Sequence, residues 1–316
     1  MRRVALIYNP ASGQRSRKHR AAIDKALAVL RDAGIEAEAL ETLAPGSAGI
    51  QVEEAMRRGC DTIIACGGDG TVHEILQSLV GTTVALGVVP LGTANAMAAN
   101  LSLHTSPAKA VCKMLAALPV RFSVGLISYR DDSGATRSRY FTVAAGVGAD
   151  ALFISRLNPA LKRRLGYLLY IIEGFRVWAT HSFPLFEAVF VEPASPQPRV
   201  EIISQLLAVR IRNFGGVLNN FIPGATLHND ALRLVAFKTR SRLRYFRFLL
   251  GALFGRASFT GKIEVLDAVS VVCRPRDDSS PRGFAEADGE FLGHLPVRIE
   301  IVPQAVYLLI PPNAKP

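Results

Sequence analysis

The chain has 316 residues, of which 49% are hydrophobic and 20% are charged. This balance excludes a disordered chain, and the length suggests about two domains. The formal net charge of +11 favours anionic partners such as nucleotides, phospholipid headgroups or nucleic acid, although charge alone does not choose among them. The 4 cysteines show neither a CxxC pair nor zinc-ligand spacing, so we expect reduced thiols in a cytosolic protein.

The first third of the sequence alternates short apolar runs with segments of helical periodicity. Strands are predicted at Val4–Tyr8, Ile35–Leu40, Thr62–Cys66 and Val84–Val89, and helices at about Ser16–Ala33, Ser47–Arg58 and Val72–Val80, with two more helices before Leu118. This order predicts a mostly parallel sheet that is covered by helices on both faces. Ligands of such sheets bind at the carboxyl ends of the strands.

The uncharged stretch from Ile75 to Leu103 is long enough on paper to span a bilayer. Glycine, proline and asparagine residues interrupt it, which predicts a helix end, a buried strand, a tight loop and a second helix. The apolar run at the N-terminus is too short for a signal peptide. We therefore expect no transmembrane helix.

After Pro119 the pattern changes to the alternation typical of antiparallel strands. Strands are predicted at Val120–Tyr129, Arg139–Ala145, Glu187–Val191, Gln205–Ile211, Leu232–Lys238, Lys262–Cys273 and Val297–Val302, with a loop at Pro193–Pro198. We therefore predict an α/β domain over residues 1–119 and a β-rich, sandwich-like domain over residues 120–303. A last strand, Ala305–Ile310, is a candidate to return to the first domain, so that residues 304–316 complete it.

Two segments interrupt the β pattern, Leu161–Trp178 and Lys238–Arg256. Both combine lysine or arginine with bulky aliphatic and aromatic residues, and both are compatible with helices. Such segments suit a membrane interface. The alternative is an ordinary amphipathic helix that packs on the β-rich domain with its arginines in solvent.

The segment Gly67-Gly68-Asp69-Gly70-Thr71 follows a predicted strand and opens a helix. Small residues let backbone N–H groups approach a phosphate, and a helix N-terminus favours negative charge. Asp69 would repel phosphate unless Mg²⁺ or a ribose hydroxyl lies between them. The alternative is a tight turn with an N-capping aspartate, and Glu74 either orients this loop or is a first-turn helix acid.

Two further loops, Asn9-Pro10-Ala11-Ser12-Gly13 and Pro90–Asn95, also follow predicted parallel strands. The three loops would share one edge of the sheet and could wrap a nucleotide. Neither a Walker A motif nor GxGxxG occurs in this region. Late in the chain, Asp288-Gly289-Glu290 pairs two carboxylates that can hold a metal or take a proton, although acidic hairpin turns are common.

Together, NPxSG, GGDGT, PLGTAN and a late DGE resemble the diacylglycerol kinase and sphingosine kinase catalytic family over essentially the whole chain. Ala145–Asp150 is similar to the family's glycine-rich segment, and Pro223-Gly224-Ala225 with Asp230 is similar to its acidic turn. The resemblance implies an ATP-binding α/β domain, a β-rich lipid domain and an active cleft between them.

The resemblance also assigns roles to residues of this sequence. ATP phosphates and magnesium would be bound by Gly67, Gly68, Asp69, Gly70 and Thr71, with Asp69 on the metal and Glu74 in support. The nucleotide pocket would be lined by Asn9, Ser12, Gly92, Thr93 and Asn95. Asp288 would be the general base on the lipid hydroxyl, with Glu290 supporting it or binding a metal. Asp230 matches a position that contributes to a second, structural metal site in some members.

The sequence departs from the family at a few positions. His73 stands where many members have asparagine, and Ala94 where many have glycine. No glycine follows Asp230, which leaves the second metal site open. His73 either contacts substrate or has a capping or packing role.

The sequence therefore predicts an ATP- and Mg²⁺-dependent lipid kinase at the inner face of the cytoplasmic membrane, with anionic phospholipid as a partner. Diacylglycerol is the preferred acceptor, while a sphingoid base, phosphatidylglycerol or another hydroxylated lipid stays open. The alternatives are an NAD kinase-like enzyme, which also uses GGDGT, and a non-catalytic lipid-binding protein. Nucleic acid is not an expected partner, because the basic residues alternate with bulky aliphatics. A homodimer is an open alternative to a monomer.

Overall fold

The computed structural model describes residues 1–10, 16–44, 46–103, 105–157, 167–214, 222–253, 261–277, 283–312 and 314. The chain separates into two compact units. The first unit comprises Met1–Val124, Asn213–Gly216 and Pro303–Pro316, and the second comprises Gly125–Arg212 and Val217–Val302. The first boundary lies beyond Pro119, because one long strand runs through that proline and contributes residues to both units.

The first unit contains a parallel sheet. Its strands are β1 (Arg3–Tyr8), β2 (Glu36–Glu41), β3 (Thr62–Gly67) and β4 (Ala85–Pro90), and its helices are α1 (Ser16–Asp32), α2 (Ala48–Arg57), α3 (Asp69–Leu79), α4 (Ala96–Asn100) and α5 (Pro107–Leu115). The strands lie in the order β4-β3-β1-β2, and each neighbouring pair is parallel. Every residue of β3 is buried, as expected for a strand with covered faces. The predicted parallel α/β arrangement is confirmed.

The pairing of β3 with β4 brings two of the predicted loops together. Gly67 at the end of β3 is in register with Pro90 at the end of β4, and the Leu91 amide donates a hydrogen bond to the Gly67 carbonyl at 2.9 Å. The segments that follow these two strands therefore start side by side. Asn9 and Pro10 follow β1, whereas Ser12 lies outside the described residues.

The second unit is built mainly from antiparallel strands. They are β5 (Leu118–Arg130), β6 (Thr136–Phe141), β7 (Ala144–Val147), β8 (Phe186–Glu192), β9 (Ser195–Ile203), β10 (Gln205–Val209), β11 (Leu232–Phe237), β12 (Ile263–Ala268), β13 (Ser270–Arg274), β14 (Phe284–Ala287) and β15 (Glu290–Ile310). One series of neighbours is β12-β11-β10-β7-β14-β15, and another is β9-β8-β13-β15. Helices α6 (Ala149–Arg156), α7 (Tyr167–Thr180) and α8 (Arg242–Leu253) accompany them. The prediction of a β-rich second domain is confirmed.

The core of the second unit comes from alternate residues of these strands. Phe141, Phe190, Leu206 and Leu234 are all buried and belong to one hydrophobic cluster. The strand β15 continues past this cluster, and its Tyr307 pairs in parallel with Ala85 of β4 in the first unit's sheet.

Several predicted strands differ from the structure. The loop expected at Pro193–Pro198 is partly strand β9, whose one partner among the described residues is β8, and such edge strands tolerate proline. The single strand expected at Lys262–Cys273 is two strands, because β12 pairs with β11 while β13 pairs with β8 and β15. Val297–Val302 and Ala305–Ile310 are parts of the one strand β15.

The uncharged stretch from Ile75 to Leu103 folds into the last five residues of α3, then β4 and α4. Within the described part of the chain, no helix is both long and apolar enough to cross a membrane. The thiols of Cys60, Cys66 and Cys273 are free and buried, and that of Cys112 is free and exposed.

Candidate functional site

The loop between β3 and α3 is the most constrained part of the first unit. Gly68 precedes the helix in an extended conformation, and Asp69 is the first helical residue. The first amides of a helix lack helical partners, which makes such an N-terminus suited to anions. A Cβ atom on Gly67 would overlap the side chain of Thr71, so glycine is required there for this helix start. Gly70 is exposed, and Asp69 is half-buried.

The GGDGT and PLGTAN loops touch each other backbone to backbone. A Cβ atom on Gly92 would overlap the Cα atom of Gly68, and a Cβ atom on Gly68 would lie 3.3 Å from the Cα atom of Gly92. Backbone atoms cannot move aside as the end of a flexible side chain can. The absence of a side chain at both glycines therefore allows the two loops to approach this closely.

Asn95 holds the second loop in shape. It is buried and lies in the left-handed region with a φ of 50°, immediately before α4. Its Oδ1 atom accepts a hydrogen bond from the Gly92 amide at 2.9 Å, and its Nδ2 atom donates to the Gly92 carbonyl at 2.8 Å. Asn95 thus positions Gly92 with both ends of its amide. Thr93, between them in sequence, is exposed and open to a ligand.

Glu74 links α3 to the start of α2. Its carboxylate accepts hydrogen bonds from the backbone amides of Gly46 at 3.0 Å and Ala48 at 3.3 Å. Negative charge at a helix N-terminus is stabilising, so the Glu74 carboxylate stabilises the start of α2. His73, the preceding residue, is 1% exposed and lies in the interior of the unit.

The sequence did not single out a polar group beside Asn9. The Tyr8 hydroxyl donates to Glu41 at 3.0 Å and accepts from Arg20 at 2.7 Å. Burial, followed by the hydrogen bond to Glu41, raises the pKa of Tyr8. The arrangement brings the Arg20 guanidinium to the carboxyl end of β1. Only the spacing of Arg20 from the NPxSG motif could have indicated this cation.

In the second unit, Asp288 and Gly289 form the two-residue turn between β14 and β15. Their φ angles are 49° and 81°, the left-handed values that a tight hairpin turn of this kind needs. The Asp288 carboxylate accepts hydrogen bonds from three consecutive backbone amides, those of Thr142 at 3.0 Å, Val143 at 2.9 Å and Ala144 at 3.1 Å. Asp288 therefore clamps the connection from β6 to β7.

Two buried acids lie next to this turn and were missed at the level of sequence. The Glu286 carboxylate accepts a hydrogen bond from the Gly289 amide at 3.0 Å. A Cβ atom on Gly146 would overlap the Asp150 carboxylate and lie 3.0 Å from Glu286 Oε1, so both acids crowd the same glycine. Burial raises the pKa of Asp150 to about 7, and burial followed by the charge of Asp150 raises the pKa of Glu286 well above its ordinary value. The closeness of the two carboxyl groups and their burial therefore favour protonation of the pair. Glu290 follows the turn and is partly buried.

The turn at Asp230 holds an arginine where the sequence suggested a metal. The Arg210 guanidinium is buried and donates to the carbonyls of Leu227, Asn229 and Ala231. These oxygens already have a cationic partner, so the residues present do not fit a metal ion at Asp230. Across the described residues, no three acidic, histidine or cysteine side chains converge as a metal site.

Asp69 fits a different kind of metal site. Mg²⁺ in nucleotide enzymes is commonly held by one or two carboxylates together with phosphate oxygens and water. A single carboxylate at the start of α3 suits an ion that is brought in by a nucleotide. Such an ion would neutralise phosphate charge at this loop.

Two family models match the chain. The diacylglycerol kinase catalytic domain matches residues 3–127, and the YegS C-terminal NAD kinase beta sandwich-like domain matches residues 142–310. The two matches together cover more than half of the chain. The diacylglycerol kinase of Bacillus subtilis (strain 168) is 26% identical over 314 residues, covering 98% of this chain and 97% of that protein. The "Probable lipid kinase YegS-like" of Citrobacter koseri is 28% identical over 298 residues, 91% of each.

A solved structure of a diacylglycerol kinase from Bacillus anthracis str. Sterne is similar with a TM-score of 0.70. Its sequence is 19% identical, and the match covers 99% of this chain and 98% of that one. At this identity the likeness concerns the fold. Together with the two family models, it confirms the predicted architecture of an α/β domain followed by a β-rich, sandwich-like domain.

The contact between Gly68 and Gly92 predicts the effect of a single methyl group. Gly92→Ala should lower the free energy of unfolding by about 1–3 kcal/mol, because one of the two backbones must shift. It should also weaken ATP binding by about tenfold or more, since the shift displaces the loop beside Asp69. Chemical denaturation and nucleotide titration measure the two effects.

Gly261→Ala is the matched control, because a Cβ atom there would meet no atom within 4 Å. This variant should keep the wild-type stability and ATP affinity. Equal behaviour of the two variants would contradict the steric role of Gly92.

Proposed function

The chain belongs to the diacylglycerol kinase and YegS-like family of lipid kinases, phosphotransferases with an alcohol group as acceptor, and from this premise we propose that it transfers the γ-phosphate of ATP to a lipid hydroxyl. Diacylglycerol is the proposed acceptor. The observation that carries the proposal is the paired loop of the first unit, in which Gly68 and Gly92 are in contact and Asp69 opens α3. The names of the Bacillus relatives support diacylglycerol over other acceptors.

We assign the phosphate donor to the first unit. The amides at the start of α3 and the small residues around them suit the triphosphate, and Thr93 and Asn9 suit the rest of the nucleotide. Asp69 would hold Mg²⁺, which neutralises the developing charge on the transferred group when bound. Gly92 and Asn95 keep the loop in this shape before the nucleotide arrives, so less ordering is needed on binding.

We assign activation of the acceptor to the second unit. Asp288 is the proposed base, and the amides of residues 142–144 fix the position of its carboxylate. Glu286 holds the turn through the Gly289 amide, and Glu290 supports the same turn or a metal. The chemistry required is small: the acceptor hydroxyl must be aligned and its proton accepted as the phosphorus–oxygen bond forms.

The two alternative functions are less well supported. An NAD kinase-like enzyme shares the fold of the second unit, as the name of its family model states, but it leaves the exposed apolar surface of α7 and α8 without a use. A non-catalytic lipid-binding protein would not need an acid at the start of α3. The same lipid kinase assay separates all three functions.

This surface is formed by the exposed sides of α7 and α8. Trp178 of α7 lies with its ring centroid 5.4 Å from that of Phe175 and 5.6 Å from that of Phe246 of α8. The Trp178 indole also donates to the Arg242 carbonyl at 2.9 Å. Phe175 is 63% exposed. Phe175 and Trp178 of the first predicted segment and Phe246 of the second therefore belong to one aromatic surface, whereas residues 161–166 and 254–256 of these segments lie outside the described residues.

Helix α8 divides into two faces. Tyr245 and Phe248 are buried, and Phe237 of β11 contacts both rings, so one face packs on the β strands. The other face exposes large apolar residues together with arginines: Leu243, Phe246, Leu249 and Leu250, and Arg242, Arg244 and Arg247. The buried face agrees with the interpretation as an amphipathic helix packed on the β-rich domain, and the exposed face supports the membrane interpretation. We propose that the exposed face binds the surface of a bilayer containing anionic lipid.

The kinase proposal predicts the effect of removing one charge. Asp69→Asn should lower magnesium-dependent phosphorylation of diacylglycerol by about 10²- to 10³-fold, because the donor loop loses its only acid. The measurement uses radiolabelled ATP with a panel of lipids in mixed micelles and identifies the product. Glu53→Gln, which removes an exposed acid from α2, should keep wild-type activity. Full activity of Asp69→Asn would show that the nucleotide lies elsewhere.

Asp288→Asn tests the acceptor side. It should preserve ATP affinity and lower kcat by about 10²- to 10⁴-fold, the usual contribution of a general base. It should also lower the free energy of unfolding by about 1–3 kcal/mol, because the new NH₂ group faces a backbone donor. Parallel losses of ATP affinity and rate would instead assign Asp288 to the nucleotide or metal site.

The membrane proposal predicts a dependence on charge. Replacing Arg244 and Arg247 with Gln should weaken binding to vesicles containing phosphatidylglycerol by about 30-fold, since each cation contributes about 1 kcal/mol. Added salt should weaken wild-type binding in the same way. Sedimentation with the vesicles measures both effects.

The matched control replaces Lys25 and Arg57 with Gln, which removes the same charge from exposed positions of the first unit. It should bind like the wild type. If purely zwitterionic vesicles bind the wild type as tightly as anionic ones, the α7–α8 surface does not act through its arginines.

A further inference from the structure

Arg210 follows β10 and is 1% exposed, which is unusual for an arginine. Its backbone amide donates to the Val143 carbonyl at 2.9 Å, so the residue continues the strand edge beside β7. Its side chain points into the turn that precedes β11. Burying a charge of this kind is costly unless hydrogen bonds compensate for the lost water.

The turn supplies these hydrogen bonds from its main chain. The Nη1 atom of Arg210 donates to the carbonyls of Asn229 at 2.7 Å and Ala231 at 2.8 Å, and Nη2 donates to that of Leu227 at 3.1 Å. Three carbonyls of one short segment thus converge on one guanidinium. Burial lowers the pKa of Arg210 to about 10 while the charge of Asp230 opposes the shift, so the group remains cationic at neutral pH.

Converging carbonyls beside a carboxylate are also the oxygen ligands that Ca²⁺ and Mg²⁺ use. Here each of the three carbonyl oxygens already accepts a hydrogen bond from the Arg210 guanidinium. A divalent ion among them would also lie within a few ångströms of a fixed positive charge, and that repulsion is strong in a buried site. The guanidinium and a metal ion are therefore mutually exclusive occupants.

We propose that Arg210 is the built-in cation of the Asp230 turn, and that this turn consequently binds no metal ion. The role expected of a structural metal, holding the segment from Leu227 to Ala231 against the strands, belongs to a side chain of the protein. The inference concerns stability and does not depend on the kinase activity, so either can fail without the other.

The test follows thermal unfolding without nucleotide, in chelator and then in Mg²⁺ or Ca²⁺. Mg²⁺ or Ca²⁺ should shift the Tm of the wild type and of Asp230→Asn by the same amount. A Tm rise in the wild type that disappears in Asp230→Asn would overturn the proposal, because the turn would then bind metal in the presence of Arg210.

Arg210→Met tests the cation itself, since it removes the guanidinium but keeps an unbranched side chain similar to the aliphatic part of arginine. Its Tm should fall by about 6 to 20 °C, because three buried carbonyls lose their partners. The Tm of Arg210→Lys should lie between those of the wild type and Arg210→Met. The lysine variant provides the comparison if the methionine variant does not fold. Arg199→Met, which removes a half-exposed arginine from the same unit, should cost less. Wild-type Tm in Arg210→Met or Arg210→Lys would overturn the proposal.

Discussion

In the first unit, the backbones of Gly68 and Gly92 are in direct contact, and this contact constrains the two loops that carry them. No side chain fits between them, and the parallel register of β3 with β4 brings the two residues to the same place. The hydrogen bonds of Asn95 then fix Gly92 against its neighbour. Asp69 takes its position at the start of α3 from this contact. The loop that carries Asp69 is therefore shaped by the sheet beneath it.

The second unit stabilises its loops by another means, in which one charged side chain satisfies several main-chain groups. Asp288 accepts from three amides, and Arg210 donates to three carbonyls. The two sites are neighbours in space, because Val143 donates its amide to Asp288 and accepts from the amide of Arg210. Irregular backbone next to a β-rich core thus obtains hydrogen-bond partners from charged side chains.

The local sequence pattern was sufficient to predict the features that depend on residues close together in the sequence. The apolar runs of β1, β3 and β4 and the glycines after them predict a parallel sheet with loops at one edge, and the Asp-Gly pair predicts the hairpin turn. Features set by distant partners were out of reach. The prolines near β9 indicate a loop unless its edge position is known, and nothing near Arg210 shows that its partners lie at Leu227 to Ala231. The crowding of Asp150 and Glu286 around Gly146 likewise appears only once the strands are paired.

The turn at Asp288 also bears on the chemical ageing of the protein. An aspartate followed by glycine is prone to cyclise to a succinimide, because the glycine nitrogen attacks the side-chain carboxyl carbon with little steric hindrance, and hydrolysis of the ring then yields isoaspartate. In the folded chain the Gly289 amide is engaged by Glu286, while the Asp288 carboxylate is held by residues 142–144. Nucleophile and electrophile are thus bound to different partners. The lifetime of this peptide bond therefore depends on the fold, and damage should accumulate first in molecules whose β14–β15 hairpin has opened.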